Sequence, residues 1–92
     1  MMKVLAVCGF GVGSSMILKM SLEKVFKKLG VAADVENTDI TSAKSENPDV
    51  IFTSEELYQE LKGSVRVPVI AVKKYMDLVE IEGAVSKYLG EK

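Results

Sequence analysis

Three glycines in five positions, Gly9, Gly11 and Gly13, follow the apolar run Val4-Leu5-Ala6-Val7 and a cysteine, and lead through Ser14 and Ser15 into a helical pattern. A buried strand that ends in a glycine loop and continues as a helix opens an α/β unit, in which parallel strands are joined by helical crossovers. The loop Cys8-Gly9-Phe10-Gly11-Val12-Gly13-Ser14-Ser15 also has a chemical reading. Glycines let backbone N–H groups turn inward without interference from a Cβ, and the helix adds the positive end of its dipole, so the segment is suited to holding an anion. Cys8 is then a nucleophile seated in a phosphate cradle, in a field expected to favour its thiolate. A merely structural cysteine beside a turn would leave the glycines unexplained.

The remaining segments repeat the strand-helix alternation. Leu18, Leu22, Val25 and Leu29 fall on one helical face, Lys27 and Lys28 complement the carbonyl end of that helix, and Gly30 is a natural residue just past its end. Ser14 or Ser15 is the expected N-cap. Val31, Ala33 and Val35 alternate with Asp34 and Glu36, the pattern of a half-exposed edge strand. A loop around a short helix near Ile40 to Ala43 follows and ends at Pro48. Asp49 to Phe52 is the next strand, and Thr53 with Glu56 has the spacing of a capping box for a helix carrying Leu57, Tyr58 and Leu61. Val67 to Val72 is the last strand, at an edge that tolerates Pro68. Asp77 and Glu80 repeat the capping spacing for a helix that turns Leu78, Ile81, Val85 and Leu89 to the core and ends near Gly90. The expected fold is three-layer α/β, a four-stranded parallel sheet in the flavodoxin-like order 2-1-3-4 with helices on both faces. That order makes the first strand central and puts Cys8 at the carboxyl edge, where open α/β sheets bind ligands.

Ninety-two residues fit one domain, 1–92. With 13 acidic and 12 basic residues spread along the chain, no nucleic-acid or anionic-membrane partner is expected. The apolar runs are too short for a signal peptide or a membrane span, which points to a cytoplasmic protein. One cysteine and no histidine leave too few soft ligands for a metal site and no partner for a redox cysteine, and no cofactor is expected.

Cysteine, five residues and a serine invite comparison with the phosphatase loop, in which an arginine stands where this chain has Ser14. That guanidinium clamps the transferring phosphoryl group, and an aspartic acid protonates the leaving group. Here the only arginine is Arg66, and the two prolines follow Asn47 and Val67 rather than an aspartate. A thiophosphate that is not rapidly hydrolysed can instead carry an activated phosphoryl group, because transfer asks mainly for position and charge stabilisation.

The stretch from Val4 through Cys8-Gly9-Phe10-Gly11-Val12-Gly13-Ser14-Ser15 to Met20 resembles the start of an ascorbate-type IIB component of the bacterial phosphoenolpyruvate-dependent sugar phosphotransferase system. This motif lies in the first quarter of the chain; the length and strand-helix order fit such a protein from end to end. The resemblance implies that Cys8 is a phosphocysteine, charged by a phosphohistidine of a IIA partner and discharged onto a sugar held by a IIC membrane permease, with Gly9 to Ser15 as the phosphate-binding loop. A galactitol-type or other sugar-type IIB is the nearest alternative. A phosphatase-like or regulatory anion-binding domain is the next.

Phe10 and Met16 are candidate partner contacts, with Met20 a weaker one, against ordinary core packing. Lys19 is a candidate to add charge near the phosphate, but it lies more than one turn into the helix and the expected reading is a solvated lysine; Thr53 and Ser54, at a neighbouring strand end, are candidates to flank the site, with Thr53 already explained as a helix cap. A nucleotide loop fails on glycine spacing and on the absent Lys-Ser or Lys-Thr, leaving Asp34 or Glu36 as a nominal ribose ligand. Guarded sheet edges favour a monomer.

Overall fold

The computed structural model describes residues 1–7 and 12–91, without the side chains of residues 12–15 and 91. Eight elements alternate along the chain: β1 (Met2–Val7), α1 (Val12–Lys28), β2 (Ala33–Thr38), α2 (Ile40–Ser45), β3 (Val50–Ser54), α3 (Glu55–Leu61), β4 (Val69–Val72) and α4 (Leu78–Glu91). The four strands form one parallel sheet in the order β2-β1-β3-β4. Alternation within the strands decides which helix layer each residue meets. Val4, Ala6, Val50 and Phe52 join Leu18, Leu22, Val25 and Phe26 of α1 and Ile81, Val85 and Tyr88 of α4 in one core. Leu5, Val7 and Ile51 face the other way and pack with Ala43 of α2 and Leu61 of α3. The helices thus cover both faces, as the alternation predicts.

α1 starts at Val12, so Ser14 and Ser15 lie in its first turn and neither is the N-cap expected from sequence. Gly13 is tolerated so early in the helix because about 1 kcal/mol of glycine penalty is small beside the burial of the apolar face behind it. The far end closes as predicted: Gly30 has φ of 73°, its N–H donates to the Lys27 carbonyl at 3.1 Å, and the Val31 N–H donates to Phe26 at 3.0 Å. This paired closure satisfies two carbonyls that the helix cannot. A Cβ at Gly30 would meet nothing within 4 Å, so the obstacle to a side chain there is backbone conformation alone. Gly30→Ala is expected to cost about 1 kcal/mol and Gly30→Asn less, a difference measurable by thermal unfolding.

Four other local expectations are corrected. The cap of α3 is Ser54, whose Oγ accepts from the Leu57 N–H at 3.3 Å, while Thr53 remains in the strand. Thr53 pairs with Val7 in the sheet register, and that pairing carries β3 one residue further than the capping pattern implied. Asp77 does cap α4, accepting from Val79 and Glu80 N–H groups at 3.1 and 3.2 Å. Glu80, however, reaches the N–H groups of Lys73 and Lys74, at 2.7 and 3.1 Å, and the Asp77 N–H goes to the Lys74 carbonyl instead. Leu78 is 42% exposed rather than core, while Ile81 and Val85 are buried. β4 begins at Val69, so Pro68 precedes the strand and serves as acceptor for the Ile51 N–H at 3.0 Å.

Candidate functional site

β1 is an inner strand, with β2 and β3 on either side, and the chain leaves it at Val7. The crossover to β2 runs through α1 on one face, and the return to β3 runs through α2 on the other. The carboxyl end of β1 is therefore the switch point of the sheet. Four residues separate it from Val12, where α1 begins. Those four, Cys8, Gly9, Phe10 and Gly11, lie outside the described residues. Val12, Gly13, Ser14 and Ser15 form the first turn of α1, where N–H groups have no intrahelical acceptor. No acidic residue occupies that turn, whereas α3 opens with Glu55 and Glu56 and α4 has Glu80. The positive end of α1 is thus left without the local compensation that those two helices have.

Two neighbouring elements frame this edge. Thr53, fully buried at the end of β3, donates from Oγ1 to the Val7 carbonyl at 2.7 Å. Beyond β4, the chain is fixed by Glu80 on Lys73 and Lys74 and by the Ser21 hydroxyl, which donates to the Tyr75 carbonyl at 2.7 Å. A hollow of about 330 Å³ opens at the ends of β3 and β4, lined by Ser54, Glu55, Glu56, Val72, Lys73 and Tyr75. Its two glutamates make it a poor phosphate site, and Ser54 is engaged as a helix cap.

Met16 and Met20 are 48% and 51% exposed on α1. Sequence reasoning missed their neighbours: Ile17 and Met20 share a cleft of about 240 Å³ with Ser21, Lys24, Met76 and Leu78. Met76 precedes the cap of α4, where an apolar residue commonly packs onto the fourth helical residue, here Ile81. Ile81 is buried but Met76 is 78% exposed, so that staple is not made and the methionine faces outward. The signal lay in Met76 and Val79 flanking the cap, both outside the buried helical stripe. Lys19 sits almost two turns beyond Val12 and is half-buried, and Asp34 and Glu36 are exposed on the edge strand β2. Among the described residues no cluster of His, Cys, Asp and Glu is placed to hold a metal ion, and no helix is long and apolar enough to cross a membrane.

A doubly wound parallel sheet, with a cysteine-glycine segment between its central strand and an uncompensated helix start, defines an open α/β protein of the class that binds ligands at the carboxyl ends of its strands. The family of lactose/cellobiose-specific IIB subunits of the phosphotransferase system matches residues 3–87. The ascorbate-specific EIIB component of Mycoplasma pneumoniae strain ATCC 29342 is 35% identical over 88 residues, covering 94% of this chain and 93% of that protein. The chain belongs to the IIB family of the sugar phosphotransferase system and is a phosphotransferase component that works with IIA and IIC partners. Among solved structures, the lactose-specific IIB domain from Streptococcus pneumoniae superposes with a TM-score of 0.73 at 19% identity, covering 97% of this chain and 95% of that one, a likeness of fold.

Proposed function

We propose that this chain, acting as a single cytoplasmic domain, accepts a phosphoryl group on Cys8 from a phosphohistidine of a IIA protein and delivers it to L-ascorbate bound in a IIC permease. The observation that carries this reading is the position of Cys8 in the chain, directly after the central strand and four residues before the uncompensated start of α1. The Cys8 thiolate attacks phosphorus in line; the S–P bond forms as the P–N bond breaks, and the electron pair leaves on the imidazole nitrogen. In the second step a sugar hydroxyl oxygen attacks phosphorus, the S–P electrons return to sulfur, and the hydroxyl proton passes to solvent. Backbone N–H groups from Gly9 to Ser15 stabilise the equatorial oxygens in both steps, so no general base is needed at the thiolate. Ascorbate is the sugar assigned because the curated relative bearing that name spans nearly the whole chain. Phe10 and Met16 contact the partners, the latter from the exposed flank of α1.

The test is phosphorylation from phosphoenolpyruvate through the general phosphotransferase proteins and a cognate IIA, read by intact mass. One added phosphoryl group is expected, with release on adding the permease and ascorbate. No added group overturns the carrier reading; release only by another sugar overturns ascorbate.

A further inference from the structure

We propose that Thr53 is a positioning residue for phosphoryl transfer, holding through its hydroxyl the peptide that carries Cys8; this rests on Cys8 being the phosphoryl acceptor. Thr53 is fully buried and stands opposite Val7 in the sheet, on the face where Leu5, Val7 and Ile51 pack with α2 and α3. Valine would suit such a place, and a hydroxyl among apolar neighbours is costly unless bonded. Its bond reaches the backbone of β1 at the last residue before Cys8, 2.7 Å from the Val7 carbonyl oxygen.

That carbonyl belongs to the peptide unit whose nitrogen is that of Cys8. The unit is planar, so restraining its oxygen restrains the whole plane, including the bond from which the Cys8 Cα departs. Accepting a bond at the oxygen also polarises the unit and strengthens its N–H as a donor. Both effects bear on a step whose rate depends on where the sulfur stands relative to phosphorus and to the first turn of α1. The β4–α4 segment is restrained by Glu80 and Ser21; at the carboxyl end of β1, Thr53 supplies the corresponding side-chain restraint on Val7.

Thr53→Val removes the hydroxyl and keeps the shape, whereas Thr53→Ser keeps the hydroxyl. With folding checked by circular dichroism, single-turnover transfer from phosphorylated IIA is expected to slow roughly tenfold at saturating donor in Thr53→Val, with half-saturation unchanged. Thr53→Ser is expected to stay within about twofold of the parent. In parallel, the pH profile of Cys8 alkylation by iodoacetamide is expected to move to higher pH in Thr53→Val but not in Thr53→Ser. Transfer at the parent rate in Thr53→Val, or equal slowing in both variants, overturns the proposal. If the parent chain accepts no phosphoryl group, the carrier reading fails, and an alkylation profile identical in all three proteins overturns the positioning role by itself. Should Thr53→Val not fold, Thr53→Ala is read the same way.

Discussion

Cys8→Ala is expected to abolish phosphoryl acceptance while leaving the melting temperature nearly unchanged. The chain has one cysteine and no histidine, so the side chains most suited to carrying a transferable phosphoryl group are reduced to one. Cys8→Ser is the sharper comparison. A hydroxyl of similar size needs its proton removed during attack, and without a general base transfer should fall by about 10²- to 10⁴-fold. Intact mass after incubation with the donor proteins measures both variants, and thermal unfolding measures their stability. A phosphoryl group that survives Cys8→Ala would place the acceptor elsewhere.

The second large effect is structural. Phe52 is fully buried in the middle of β3, within the core formed with α1 and α4. Phe52→Ala should destabilise the protein by about 3–5 kcal/mol, through lost transfer free energy and the cavity left behind. A domain of this size has total stability of about 5–15 kcal/mol, so the variant would be unfolded or close to it at moderate temperature. Val79→Ala, at a residue 83% exposed on α4, should stay within about 0.5 kcal/mol of the parent. Urea unfolding of both variants checks the contrast.

The strand order and the buried faces were legible because two periodicities dominate the chain. Val4 to Val7 reads as an inner strand by its unbroken apolar run, and Leu18, Leu22 and Val25 mark one face of α1 without competition. The caps were less legible because adjacent residues offer the same chemistry. Thr53 and Ser54 can each cap a helix, and the choice is made by pairing of β3 with β1, a long-range fact. Glu80 has the right spacing to fold back on Asp77, yet two unbonded N–H groups in the preceding loop compete for it and win. Leu78 fits the helical stripe by count, but it stands at the first position of α4, where the helix emerges beside Met76 and the exposed flank of α1. Of the candidate site, the central strand end and the following helix start were readable; the Thr53 bond to Val7 was not, since nothing in sequence spacing relates residues 46 positions apart.

The two helix layers are unequal. α1 and α4 bury a large continuous core, whereas on the side of α2 and α3, of six and seven residues, the fully buried cluster among the described residues is Leu5, Val7, Ala43, Ile51 and Leu61. Native-state hydrogen exchange should therefore find α2 and α3 opening as a unit at lower free energy than the α1–α4 side. The thinner layer is the one against which Thr53 and Val7 are packed, so its breathing would intermittently admit water to the bond between them. The lifetime of that closed layer then sets how long the Thr53–Val7 bond stays dry, and a partner that covers α2 and α3 would lengthen it.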